Sequence, residues 1–336
     1  MTVKVTDMRG VDLERYRFNF DLTFSMLLMH PDGHVYHRYG GRDVRGANQW
    51  LSAESLESVL ETTLEEHAAY RPTAEPAPPT PPLRLEEVPI FAKRDKGECI
   101  HCHSVFESVY QQRMSEDRLR LEDLWVFPAP ARLGLDLDRD EQQRITAVSK
   151  DSPAARAGLA VDDRLLRVGE TPIATASDVM FALDRTPAEG GELAVQYRRG
   201  DAEASTTLEL AADWRTETPR EYSWRALKWG LDPVPGFGGP VLSDADREAA
   251  GLGDRPFAFR INYFVTWGPR AFSGAKARKA GLREGDLVYE VGGERSFESI
   301  DHFHAWWRLT RTPGEAVTIR FLRDGQRREV SLIAGR

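Results

Sequence analysis

The sequence predicts a multidomain α+β protein, and three observations carry that prediction. The chain has 336 residues, more than one ordinary hydrophobic core organises. Residues 71–89, RPTAEPAPPTPPLRLEEVP, hold seven prolines and read as an extended spacer between folded blocks. The second half repeats itself: SPAARAGLAVDDRLLRVGE (152–170) returns as GAKARKAGLREGDLVYEVGG (274–293). Leu159, Asp163 and Gly169 come back as Leu282, Asp286 and Gly292, each 123 positions on. The segments expected are an N-terminal block (1–70), the proline-rich linker (71–89), a cysteine-bearing helical segment (90–125), the first repeat (126–211), a tryptophan-rich linker (212–239) and the second repeat (240–336). The composition, 41% apolar and 29% charged, is that of folded domains. A net charge of −8 argues against a nucleic-acid partner, which needs a basic face. No apolar run reaches the roughly 18 residues of a membrane span.

In the N-terminal block, TVKVTDM (2–8) alternates as a strand does, and LTFSMLLM (22–29) reads as an apolar strand. Pro31-Asp32-Gly33 then turns the chain into HVYHRYG (34–40), a hairpin signal. Ser52 is placed to cap a helix whose apolar face is Leu56, Val59, Leu60 and Leu64. Strand, hairpin and helix in this order resemble the C-terminal half of a thioredoxin fold over residues 2–68. Two departures mark the likeness. Where thioredoxins carry a cis-proline this chain has Asp21-Leu22-Thr23, and the half of the fold that bears their dithiol is absent. A half sheet leaves an unpaired edge and an open core, so either an upstream segment has been lost or another segment completes the sheet.

Both cysteines fall in Cys99-Ile100-His101-Cys102-His103. The C-x-x-C-H spacing serves c-type haem attachment, a reactive dithiol, or part of a metal site. The run SVFESVYQQRM (104–114) reads as a helix with Val105, Phe106, Val109 and Tyr110 on one face, which puts the cysteines at or just before its N-terminus. Free N–H groups and the helix dipole lower a thiol pKa there, making Cys99 the nucleophile and Cys102 the resolving thiol of an oxidoreductase. The same turn offers two thioether positions for haem c, with His103 as proximal iron ligand. Its distal ligand would come from Met26, Met29, His302 or His304, since Met114 shares the helix of His103. A transition metal would take His103 with His101, which alone do not assemble a tetrahedron. Cys99 and Cys102 as catalytic thiols, and Cys99, Cys102 and His103 as cofactor ligands, both stand open.

The repeats resemble a tandem pair of bacterial-type PDZ domains, through S-P-A-x-x-A-G-L at 152–159 and G-L-D-L at 134–137. The resemblance implies that a peptide adds as a strand along Leu133, Gly134, Leu135, Asp136 and Leu137, opposite Val179, Met180 and Leu183 of a helix. The alternative is a groove filled by the chain itself. In the second repeat the pairing strand is expected at FAFRINYF (257–264), with no glycine-bounded loop before it. No G-x-S-x-G or G-N-S-G-G segment occurs, so proteolysis is not expected.

FNFDLTF (18–24), DGHVYHRYGGRD (32–43), CIHCHSVFE (99–107), LGLDLD (133–138) and SPAARAGL (152–159) together resemble a bacterial, planctomycete-type family of PDZ proteins with a thioredoxin-like N-terminal part. That resemblance implies an exported protein of the cell envelope or periplasm, with a leader upstream. MTVKVTDMRG itself has no secretory pattern and reads literally as cytoplasmic. The function expected is a non-proteolytic adaptor that binds C-terminal or extended peptide segments and carries a C-x-x-C-H redox centre. A thiol–disulfide oxidoreductase acting on PDZ-bound clients is the alternative.

Overall fold

The computed structural model describes residues 2–20, 22, 24–42, 48–72, 83–91, 100–119, 127–215, 232–297 and 299–335. The chain divides into two compact units, residues 1–118 with 122–226, and residues 119–121 with 227–336.

In the first unit, β1 (Ser25–Met29) and β2 (Val35–Gly40) form the expected antiparallel hairpin, with Ser25 opposite Gly40. Helix α1 (Ala53–Ala69) starts where Ser52 Oγ accepts the Ser55 N–H. Its predicted apolar face is not a core face: Val59 is buried, but Leu64 is 68% exposed. TVKVTDM forms no strand; the segment is irregular and Met8 N–H donates to Ile100 O at 2.9 Å. The end of the proline-rich stretch is no free spacer either. Leu13 N–H donates to Leu83 O at 2.7 Å and Leu85 is fully buried, while residues 73–82 lie outside the described part. Helix α2 (Cys102–Ser115) buries Val105, Phe106 and Tyr110 as its spacing predicts, with Phe106 edge-on to Phe20.

The same unit continues with β3 (Leu135–Leu137), β4 (Ile145–Val148), α3 (Pro153–Arg156), β5 (Arg164–Val168), β6 (Thr171–Pro172), α4 (Ala176–Arg185), β7 (Gly191–Arg199) and β8 (Ala202–Leu210). One sheet has the order β6-β5-β7-β8, and β3 pairs with β4 alone. Leu193, Val195 and Tyr197 of β7 and Leu208 and Leu210 of β8 point inward at period two, and Val179 and Leu183 of α4 are buried too. A capping box fixes the start of α4: Thr175 Oγ1 accepts from Asp178 N–H, and Asp178 accepts from Thr175 N–H.

These capping side chains also answer the half-sheet question. Arg38 N–H donates to Asp178 Oδ1 at 2.8 Å, and Thr175 Oγ1 donates to Arg38 O. Thus α4, not a further strand, satisfies the outer edge of β2 at Arg38.

The second unit runs β9 (Phe237–Gly238), α5 (Asp244–Ala249), β10 (Phe259–Arg260), β11 (Tyr263–Phe264), α6 (Ala271–Lys279), β12 (Leu287–Val291), α7 (Ile300–Thr310), β13 (Ala316–Arg323) and β14 (Gln326–Ile333). Its main sheet has the order β10-β12-β13-β14, and β11 pairs with β9. Phe237, Phe259, Phe303 and Trp307 fill its core.

The repeat is visible in chemistry as well as in sequence. Arg199 grips buried Asp163 with Nε and Nη2, each at 2.7 Å, and also reaches Gly158 O. Arg323 grips buried Asp286 with the same two atoms at 2.7 Å and reaches Gly281 O. In each copy the aspartate also receives a backbone N–H three residues before it, from Ala160 or Arg283.

Candidate functional site

The candidate groove is built from a short 3-10 turn, Pro130–Leu133, that ends at Gly134. Gly134 has φ +80°, and a Cβ there would come within 2.1 Å of Ser152 Cβ, so glycine is required for two separate reasons. Its carbonyl accepts Ser149 N–H at 2.7 Å, and Asp138 N–H donates to Arg144 O at 2.9 Å. Gly134, Asp136 and Asp138 therefore turn their backbone groups toward β4. Leu135 and Leu137, in the alternate positions, turn theirs to the opposite edge, where no other described strand pairs.

The side chains along that edge are shut away from water. Leu133, Leu135, Leu137, Val179, Met180 and Leu183 are each at most 3% exposed, Gly134 is buried, and of the predicted groove positions only Asp136 is exposed. The structure brings the predicted residues together, but as a closed arrangement.

The N-terminal block packs against α4 beside it. Met180 Sδ and Trp50 Cδ1 both lie 3.8 Å from where a Gly41 Cβ would stand. Gln142 ties Trp50 O to Ala176 N–H, with distances of 3.2 and 3.0 Å. The Arg38 guanidinium stacks 3.4 Å from the Phe181 ring centre, and Arg17 Nε donates to buried Asp184. At the other end of α4, Arg215 Nη2 reaches the carbonyls of Leu183, Asp184 and Thr186. Trp214, at the start of the expected tryptophan-rich linker, is fully buried and donates to Pro187 O; residues 216–231 lie outside the described part.

Charge reinforces the closure. His37 Nδ1 lies 3.0 Å from Asp178 Oδ2, and its Nε2 lies 3.0 Å from Glu66 Oε2. Burial opposes a charged ring, yet hydrogen bonds and the charges of Asp178 and Glu66 outweigh it and push the His37 pKa up to about 9. Burial, with some help from Arg185, pulls Arg38 down to about 10 against the attraction of Asp178. Both side chains are cationic at neutral pH. None of this grip was read from the sequence: Arg38 and Asp178 are 140 positions apart, and hydrophobic periodicity does not report a polar contact.

At the C-x-x-C-H motif, Cys99 lies outside the described residues. Cys102 is the first residue of α2, half-buried, with Sγ 3.7 Å from Leu22 O. His101 is the N-cap residue, and its ring stacks on that of His103 with centroids 5.5 Å apart. Among the described residues no group of three or more His, Cys, Asp or Glu is arranged for a metal. Of the distal candidates, Met26 and Met29 stand on β1 in the same unit as this segment, whereas His302 and His304 belong to the second unit.

In the second unit the strand paired like β3 is not at 257–264. That stretch is β10, a break, and β11, and it corresponds to the β4 region: Ile261 N–H donates to Asp286 O as Ile145 N–H does to Asp163 O, both at 2.9 Å. The counterpart of β3 is β9, preceded by Gly236 at φ +84°, whose carbonyl accepts Val265 N–H at 2.8 Å. A glycine-bounded turn therefore does precede the strand, some twenty residues before the place expected. The signal was present as Val234-Pro235-Gly236-Phe237-Gly238, but FAFRINYF outbid it as the more strand-like run.

Residues 131–210 match the family model of the PDZ domain. This segment is a PDZ domain. Among curated proteins none matches the chain. Among solved structures, the HtrA3 PDZ domain bound to a phage-derived ligand is 21% identical over 20% of this chain and 60% of its own, with a TM-score of 0.18. The serine endoprotease from Yersinia pestis is 20% identical over 33% of this chain and 36% of its own, with a TM-score of 0.26. The chain thus spans under two thirds of either. No described helix is long and apolar enough to cross a membrane.

Proposed function

We propose that the chain is a non-proteolytic peptide-binding adaptor whose PDZ domain takes an extended or C-terminal peptide along β3. The observation that supports it most is the free edge: the backbone N–H and C=O groups of Leu135 and Leu137 face away from β4 with no described strand beside them. Because the apolar side chains there are covered, binding requires α4 and the N-terminal block to part. That cover is the regulatory half of the proposal. We further take the second unit to be a second PDZ copy, on the strength of its matching Asp–Arg pair and its Gly236–Phe237 turn.

The C-x-x-C-H segment serves in this reading as a redox centre close in sequence to the PDZ domain. The donor set suits haem c through thioethers at Cys99 and Cys102 with His103 on the iron, or a transition metal through His103 and His101. A thiol–disulfide oxidoreductase is the second reading, favoured by the place of Cys102 at the N-terminus of α2, where N–H groups stabilise a thiolate. Visible absorption and intact mass after expression in a haem-attaching cell, with thiol titration, separate the three.

The binding proposal is tested by amide NMR on the full chain titrated with fluorescein-free C-terminal hexapeptides. The Leu135 and Leu137 amides should shift and become protected from exchange; peptide binding that leaves both unmoved would place the ligand elsewhere. Substitution of Gly134 is no clean test, since any side chain there strikes Ser152. A serine-directed hydrolase probe should leave the chain unlabelled.

A further inference from the structure

Helix α1 leaves an apolar face open to solvent. Leu56, Leu60 and Leu64 follow one another at intervals of four and so lie in one row along the helix. Leu60 is 40% exposed and Leu64 68%, while Leu56 is half-buried. The helix packs by a different side. Val59 is buried there, and Glu66 meets the buried His37. A single exposed leucine is ordinary, but leucines in register along two turns make a face.

The charges beside that row are of one sign. The 17-residue helix carries five glutamates and no lysine or arginine. Glu57, Glu61 and Glu65 each follow one of the leucines by one residue, so they form a second row about 100° round the helix. All three are exposed, and among the described residues no basic side chain pairs with any of them. Helix stability does not account for this row, because like charges four residues apart repel. An apolar row without cover, beside an acidic row without partners, is complementary to one kind of surface: basic side chains flanking apolar ones at helical spacing. The same charges disfavour two other occupants. A second copy would bring two glutamate rows together, and an anionic lipid surface would repel the helix.

We propose that this face of α1 docks a basic amphipathic helix of another protein. The partner's apolar side chains cover Leu60 and Leu64, and its lysines or arginines lie against Glu57, Glu61 and Glu65. Burial of the leucines supplies affinity, and the glutamates supply attraction at a distance and a preferred orientation. Helix α1 lies outside residues 131–210, so this docking is independent of the peptide edge at β3.

The probe is a synthetic helix of about 18 residues built from leucine and lysine, with the leucines on one face, titrated into the full chain. Its controls are a scrambled isomer, in which the leucines are spread round the helix, and a version with glutamate in place of lysine. The ordered basic peptide should bind at least tenfold more tightly than either control. Its amide shifts should centre on residues 53–69, and its affinity should fall as salt is raised. Leu60→Gln with Leu64→Gln should weaken binding tenfold or more. Glu57→Gln, Glu61→Gln and Glu65→Gln together should weaken it and remove most of the salt dependence. Both variants should melt with the parent, since every altered side chain is exposed. The proposal is overturned if the scrambled isomer binds as tightly as the ordered one, or if either variant binds like the parent. A leucine variant that melts several degrees lower would also overturn it, by making the leucines structural. So would a dimer of the free chain that the leucine variant disperses, which would name a second copy as the occupant.

Discussion

His37 shows how much one side chain carries. It stands on β2 between Asp178 of the PDZ domain and Glu66 of α1, and its proton ties the strand to both. Its folded pKa of about 9 exceeds the ordinary value near 6.5, so the native state binds the proton more tightly than the unfolded chain does. The resulting stability, on the order of 2–3 kcal/mol, is therefore complete below about pH 6.5 and is lost as the pH rises through about 9. Denaturant midpoints measured between pH 6 and pH 10 should fall over that window, and His37→Gln should flatten the fall. A midpoint independent of pH in the parent would contradict the charged state assigned to this ring. Asp163 offers a second case. It is buried and, among the described side chains, held by Arg199, so Arg199→Ala strands a carboxylate and should cost about 3 kcal/mol in urea unfolding. Arg323→Ala, which strands Asp286, should cost about the same. A loss below about 1 kcal/mol at either would place the pair with ordinary surface ion pairs.

Among the elements, those with a local chemical cause were the legible ones. Asp32-Gly33 between alternating runs specified the β1–β2 hairpin, and Ser52 specified the start of α1. The Val105, Phe106 and Tyr110 spacing specified the buried face of α2. Elements whose form depends on a distant partner were not. TVKVTDM alternates, but Val3 and Val5 find no described strand beside them and remain exposed. The α1 stripe is amphipathic by spacing, yet little but Val59 meets a core. The turn at Gly134 and the strand after it were legible, because a positive φ and the close approach of Ser152 demand glycine there. The contacts that hold α4 were not legible, since arginines of the N-terminal block, far off in sequence, make them. If α4 is gripped as described, Arg17→Ala with Arg38→Ala should increase amide exchange along Ala176–Arg185 by tenfold or more while β7 and β8 stay protected. Uniform loss of protection across all three would instead mean that the pair stabilises the whole unit.

The molecule as a whole carries a PDZ domain whose β3 side chains are buried and a second unit built on the same Asp–Arg pattern. On the proposed reading, the cover would make peptide affinity a property of the full chain rather than of residues 131–210 alone. A closed state favoured by a few kcal/mol lowers apparent affinity by the fraction of molecules open, so loosening the cover raises affinity without touching the groove. The most direct measurement is the dissociation constant of C-terminal hexapeptides for the full chain and for its Arg17→Ala, Arg38→Ala form, read through the Leu135 and Leu137 amides. The account predicts at least tenfold tighter binding to the loosened form, with the same two amides reporting it. Equal affinity in both forms would contradict it, for then the N-terminal block would lie on α4 without governing access to β3.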